Sequence, residues 1–391
     1  MPIQFLPLWR RAWPLLIALV LLIFLIHRAP AVEIRFKPAE TPTPAPSEVA
    51  VSTPDSKVES KVDSKVEIPN IVHQVRMFPR RNEDDSTPHP TFDYTFANFL
   101  SIYSAYLYLK PEVIYIHTNA PPEVIAAERT SSNKWTRAIA NLPSVQFHYE
   151  ELPGTHSKTH GTEIWLIQHI ADFVRSRVMR KFGGIYMDED VFALRDFTPL
   201  RQTGFKAVVG YQKGNVICNA MYMGLADSHI VQALDELQDP FFNGGWTTHS
   251  VLLLTRITRD IAAADSKDEV LVLEQNAFFP LSWEIGDLDT MYAVHDDWDG
   301  SEKWQKPADL VPFNLTSYAD RVVSQEEVLW PFDTTYSIHG WHSAIQPDVQ
   351  YVFGDYGEIT VDYILARKSY FAKAVYPALQ HALDAGTISR D

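Results

Sequence analysis

The chain has 391 residues, 46% hydrophobic and 12% aromatic, enough for one large α/β domain or for two or three smaller ones. Its formal net charge of −15 excludes the broad basic footprint of a nucleic-acid binder, but a single metal-loaded pocket would still admit an anionic ligand. Cys218 is the only cysteine, so an intrachain disulfide and a cysteine-based zinc cluster are both excluded.

Ala12 to Ile26 is an uncharged, apolar run of 15 residues between Arg10-Arg11 and His27-Arg28. A span usually takes about 20 residues, and arginines snorkelling from both ends of a thin bilayer close the gap. The basic flank and the absence of acids in residues 1–11 predict a cytoplasmic tail and signal anchor over 1–28, with the rest of the chain lumenal. A cleaved signal ending near Ala29-Pro30-Ala31 is the competing reading. Residues 29–67 read as a disordered stem, rich in Pro, Ser and Thr and then in SKVE-like repeats whose isolated valines cannot supply a core.

Compact α/β patterning begins at Ile68. Strands are predicted at Ile71–Val75, Val113–His117 and Val145–Tyr149, with β-branched residues suited to a buried sheet. Helices are predicted over Tyr94–Leu109, Pro122–Ala140 and Glu163–Phe182, the last ending at Gly183-Gly184 as a left-handed cap. Farther on come strands at Phe205–Gly210 and Asn215–Gly224, helices at Ser228–Leu237 and Thr247–Ile261, and a final helix within Asp362–Leu383. Alternating strands and helices imply a largely parallel sheet with helices on its faces, and ligands gather beyond the carboxyl ends of such strands. Neither a GxGxxG fingerprint nor a P-loop occurs, which removes the NAD and ATP readings. Cys218 lies in a mostly apolar run and reads as a buried structural thiol. Asn314-Leu315-Thr316 is an N-glycosylation sequon in a plausible loop.

The most informative stretch runs from His169 to Val191. His169, Asp172 and Arg175 recur every three residues on one helical face, and Ile185-Tyr186-Met187 then leads into Asp188-Glu189-Asp190. If that triplet stays extended, Asp188 and Asp190 point one way and Glu189 the other. Two carboxylates converging at a strand end are costly to bury without a cation. Mg²⁺ or Mn²⁺ suits hard oxygen ligands and also binds a diphosphate, with Mn²⁺ the first choice. The plainer alternatives are a solvated acidic triplet and an intrahelical Asp172–Arg175 ion pair.

HIADFVRSRVMRKFGGIYMDEDV at 169–191 resembles the DXD-containing sugar-binding region of the glycosyltransferase family that includes yeast-type initiating α-1,6-mannosyltransferases and lumenal α-1,4-galactosyltransferases. IPNIVHQV at 68–75, YIHTNAP at 115–121, VICNAMYMG at 216–224 and SIHGWHS at 337–343 resemble further blocks of that family, in the same order. The resemblance implies a GT-A domain with a mixed central sheet over 68–391, and transfer of a hexose from GDP-mannose or UDP-galactose to a glycan or glycolipid hydroxyl with retention at the anomeric carbon. It implies a Golgi type II membrane protein. Asp172 would accept sugar hydroxyls and Arg175 would orient the sugar or leaving group. Asp190 would be the main metal ligand, and Asp188 would contact the donor and reach the metal through water. Glu189 occupies the variable middle position. His339 would complete the metal or phosphate shell, with His342 as an alternative, while Trp341 would cover the donor and Asn219 touch the sugar or acceptor edge. The competing readings are a non-catalytic lumenal sugar-binding protein that keeps the fold, and a hydrolase, which needs two opposed acids that the adjacent DED carboxylates do not supply.

Overall fold

A computed structural model describes residues 66–298 except 83, 85 and 265, together with 332, 334–341 and 359–390. The expected anchor, nearly all of the stem, the Asn314 sequon and His342 lie outside the described residues. Among the described residues ten strands run in chain order: β1 Ile71–Val75, β2 Val113–Thr118, β3 Val145–Tyr149, β4 Gly184–Met187, β5 Val191–Ala193, β6 Ala207–Gln212, β7 Val216–Ile217, β8 Met221–Gly224, β9 Val270–Leu273 and β10 Ser337–His339. The main sheet has the order β3-β2-β1-β4-β8-β6-β7, with β9 also paired to β6. Its first four strands are parallel, β8 runs antiparallel to both β4 and β6, and β9 is parallel to β6. The sheet is therefore mixed, as the resemblance implies, rather than largely parallel. Among the described residues no helix is long and apolar enough to cross a membrane.

Strand alternation divides the core into two layers. Ile185 and Met187 face the layer built with helices Phe96–Leu109 and Tyr370–Asp384, whereas Tyr186 faces helices Ile167–Phe182, His229–Phe241 and Leu253–Ala263. All four β4 residues are buried, so this short strand runs through the middle of the molecule. Cys218 is buried, as expected.

Several expected elements are shorter or divided. The Pro122–Ala140 helix is two helices, Pro122–Glu128 and Lys134–Ala140, because Asn133 turns back to cap the amides of Trp135 and Thr136. The next helix starts at Ile167, not Glu163, since Glu163 is bridged to His156. Asn215–Gly224 is split into β7 and β8, and the Thr247–Ile261 helix opens with a π-helical turn over Thr248–Leu252. The C-terminal helix is likewise two, Val361–Ala366 and Tyr370–Asp384.

The double glycine serves a different purpose from a left-handed cap. Gly183 has φ 62° but ψ −166°, which is extended, and Gly184 has φ 106°. A Cβ on Gly184 would stand 2.5 Å from the carbonyl oxygen of Ile71, so only glycine lets β4 lie this close to β1. Beside this contact His73 Nε2 lies 2.7 Å from the Gly183 carbonyl, and His73 Nδ1 lies 2.9 Å from His117 Nε2. Burial pushes the His73 imidazole down to about 4 and that of His117 down to about 2, so both are neutral at physiological pH.

Candidate functional site

The fold carries Asp188-Glu189-Asp190 out of β4 into a tight turn, closed by the Val191 amide donating to the Asp188 carbonyl at 3.0 Å. The triplet is thus not extended, but the expected separation of its side chains still occurs. Glu189 turns away to accept from Arg76 at 2.8 Å, and Arg76 also lies over the Tyr94 ring. Asp188 and Asp190 turn towards each other and towards His339.

His339 arrives from far along the chain. Antiparallel pairing of β10 with β5 sets it opposite Val191, and the Gly340 amide donates to the Asp190 carbonyl at 2.7 Å. His339 Nε2 then lies 3.2 Å from Asp190 Oδ1. Burial alone would lower this imidazole, but the Asp190 carboxylate raises it to about 10. One donor atom from each of Asp188, Asp190 and His339 falls within 4.8 Å of the others. His339 therefore lies beside the two acids.

Helix Ile167–Phe182 supplies the opposite wall. Asp172 and Arg175, one turn apart, both point inward and are buried. Arg175 donates to Asp188 Oδ1 at 2.8 Å and to the Asn219 carbonyl at 2.7 Å, with its guanidinium 4.3 Å above the Tyr186 ring. Burial raises the Asp188 carboxyl and Arg175 only partly offsets this, whereas Arg175, His249 and Asn219 hold Asp172 below the ordinary carboxylate range despite its burial. His169 shares the helical face but packs edge-on against Phe242 and His249.

Three of the candidate residues also have partners within the protein. Both carboxylate oxygens of Asp172 have partners: Oδ1 takes the Asn219 amide at 2.8 Å, and Oδ2 lies 3.1 Å from His249 Nε2. Asn219 accordingly orients Asp172. Trp341 is buried with its indole N–H on the Leu281 carbonyl, its ring 3.9 Å from that of His339, so it backs the imidazole. Sequence reasoning missed two contributors. Tyr186 donates its hydroxyl to Asp188 Oδ1 at 2.5 Å, and its place two residues ahead, on the same side of the chain, is a usable signal. His249 sits in the π-helical turn, a distortion that often marks functional positions, but nothing in its sequence surroundings singles it out.

The arrangement fits a divalent cation on its own chemistry. Asp172, Asp188 and Asp190 set three carboxylates against the guanidinium of Arg175 and the protonated imidazole of His339, so one negative charge remains, and two would remain once a bound cation displaced the His339 proton. Oxygen donors with one imidazole suit Mn²⁺ or Mg²⁺.

Residues 101–206 match the family described as glycosyltransferase sugar-binding region containing DXD motif. Glucan organizing enzyme 1 of Cryptococcus neoformans var. grubii is 23% identical over 249 residues, covering 61% of each chain. Human lactosylceramide 4-alpha-galactosyltransferase is 27% identical over 179 residues, 40% of this chain and 47% of that protein. The chain thus spans about half to three fifths of the length of these relatives. Among solved structures, the glycosyltransferase GlyE of Streptococcus pneumoniae TIGR4 aligns over 82% of this chain and 65% of its own, with a TM-score of 0.39 and 10% identity.

The donor set is thus consistent with a divalent cation, the matched region is similar to that of DXD-containing glycosyltransferases, and the α/β domain has a mixed sheet consistent with GT-A. Within the matched residues the DXD is Asp188-Glu189-Asp190.

Proposed function

We propose that this chain is a retaining hexosyltransferase, moving a hexose from a nucleotide diphosphate sugar to a hydroxyl of a glycan or glycolipid and forming an α-linkage. The observation that carries this reading is the convergence of Asp188, Asp190 and His339 within 4.8 Å beside the buried Arg175. Asp190 and His339 would hold the cation directly, with Asp188 between metal and donor. The cation supplies charge stabilisation on the diphosphate as the sugar leaves. Arg175, gripped by Asp188 and the Asn219 carbonyl, keeps a fixed positive charge beside the leaving group. Asp172, held by Asn219 and flanked by His249, faces the sugar. For retention we favour same-face departure and attack, in which the leaving diphosphate takes the acceptor's proton, because no side chain is assigned as a covalent nucleophile.

GDP-mannose and UDP-galactose are the two donors we favour, and galactosyl transfer is the activity in the name of the similar lactosylceramide 4-alpha-galactosyltransferases. Turnover of the purified chain with GDP- and UDP-hexoses, with and without Mn²⁺, followed by anomeric analysis, tests donor, metal and stereochemistry together. Selective use of one nucleotide sugar decides the donor. A folded chain that binds sugar yet transfers none would reject the reading in favour of a non-catalytic sugar-binding protein. We place the domain over 68–391 in the Golgi lumen, behind the stem at 29–67 and the type II anchor at 1–28, on the strength of the Arg10-Arg11 flank. Protease protection of the domain in sealed vesicles checks this topology, and a soluble species beginning near Val32 would contradict it.

A further inference from the structure

A second cluster of ligating side chains lies across the sheet edge formed by β2 and β3, and the chemistry above makes no use of it. The parallel register places His117 directly beside His148, and Glu150 follows two residues later on the same face. His117 Nδ1 and His148 Nδ1 are 3.3 Å apart, and His148 Nδ1 is 3.3 Å from Glu150 Oε1. One ligand atom from each of the three falls within 4.8 Å of the others.

We propose that His117, His148 and Glu150 form a zinc site, with water as the fourth ligand, that clips edge strand β3 to its neighbour beneath helix Ile167–Phe182.

Tautomer logic leaves a lone pair of His117 facing the cluster, and zinc would displace the proton that His148 Nδ1 shares with it and with Glu150. The Gly183 carbonyl can only accept, so His73 Nε2 carries the proton of their 2.7 Å contact. The Nδ1 of neutral His73 then accepts from His117 Nε2–H at 2.9 Å. That leaves His117 Nδ1 as a bare lone pair directed at His148. A ligating histidine usually donates its other N–H to a fixed acceptor, and the β1 strand provides one in His73.

Distances point the same way. Tetrahedral zinc bonds of about 2.0–2.1 Å separate neighbouring ligand atoms by about 3.3–3.4 Å. Both measured separations have that length, whereas the unshared His73–His117 hydrogen bond is clearly shorter. The second carboxylate oxygen of Glu150 is held by Arg177 through Nε at 3.1 Å and Nη2 at 2.9 Å, which turns Oε1 towards the imidazoles. Lys181 lies 3.9 Å from that oxygen and opposes a cation, but its side chain is half exposed and free to swing out. The His148 side chain is 27% exposed and opens the route for the ion. Two imidazoles with one carboxylate suit zinc, a set that ferrous iron shares, as against the oxygen-rich set around Asp190.

The test loads the full-length chain with one equivalent of Zn²⁺, dialyses it, and measures bound metal in an Asp190→Asn background, which weakens the other site. One zinc per chain should remain. His148→Ala should lower the affinity at least a hundredfold and Glu150→Gln at least tenfold, while circular dichroism stays unchanged. Co²⁺ in place of zinc should give the intense visible bands of a tetrahedral ion, absent from His148→Ala. Should His148→Ala misfold, the affinity and cobalt spectrum of Glu150→Gln decide alone. No retained zinc, or zinc retained equally by both ligand variants, overturns the proposal. Zinc lost with Asp190→Asn alone assigns it to the donor site and overturns the proposal too. None of these outcomes bears on nucleotide-sugar turnover, so the two assignments fail separately.

Discussion

Glu189 and Asp190 are adjacent acids with opposite assignments, so exchanging each for its amide shows which of them binds the cation. The Glu189–Arg76 contact is a charge-assisted hydrogen bond at 2.8 Å, a type contributing about 1.5–3 kcal/mol. Arg76 is 30% exposed, so water compensates part of the loss, and glutamine keeps a neutral acceptor of the same shape. Glu189→Gln should therefore lower unfolding free energy by about 1–2 kcal/mol and leave Mn²⁺ affinity within about twofold. Asp190→Asn keeps an acceptor for His339 but removes the charge that holds this buried imidazole protonated, a loss partly offset by relief among the crowded acids, so its stability should fall by about 1–3 kcal/mol. Its Mn²⁺ affinity should fall at least about a hundredfold, equivalent to about 2.7 kcal/mol. Asp188→Asn should also be severe. Urea unfolding monitored by fluorescence gives the first quantity and Mn²⁺ titration calorimetry the second. Equal loss of Mn²⁺ binding in Glu189→Gln and Asp190→Asn, or near-normal binding in Asp190→Asn, would refute the division of roles within the turn.

Two further substitutions probe the frame around the site. Arg175→Lys retains the charge but loses the fork that holds Asp188 and the Asn219 carbonyl together, so we expect a drop of about 2–3 kcal/mol in stability and at least about a hundredfold in transfer rate; unchanged kcat would show that charge alone suffices. Gly184→Ala drives a Cβ to 2.5 Å from the Ile71 carbonyl at a backbone φ of 106°, which should cost about 3–5 kcal/mol, whereas Gly286→Ala meets nothing within 4 Å and should be nearly neutral. Thermal denaturation of the two variants side by side checks the contrast.

The strands β1, β2 and β3 were legible within a residue because Ile71–Val75, Val113–Thr118 and Val145–Tyr149 are short runs of β-branched and aromatic residues set between turn and helix signals. The break between Glu128 and Lys134 was harder to read. It depends on one Asn133 carboxamide satisfying two amides, which amphipathic periodicity does not register. The facing of the DXD acids came out as expected although the backbone there is a turn, because Arg76 captures Glu189 from the far side. Asp172, Arg175, Asp188 and Asp190 lie within one short stretch, and their spacing alone pointed to a site. His339 was reachable only through resemblance to a family. His249 was not reachable at all, since its contact with Asp172 depends on how a π-helical turn packs against another helix.

The pairing of β10 with β5 joins positions 149 residues apart at the contact between His339 and Asp190. On a growing chain the carboxylate turn emerges long before the imidazole that faces it, and closing so large a loop must wait for the rest of the sheet to offer a place for β10. Until then Asp188 and Asp190 form an open acidic turn, without the nitrogen ligand and without Trp341 behind it. Under the proposed assignment, full cation affinity would appear only once the C-terminal part of the domain has folded back, and a chain interrupted before Ser337 would keep its acidic motif but lack the imidazole that faces it.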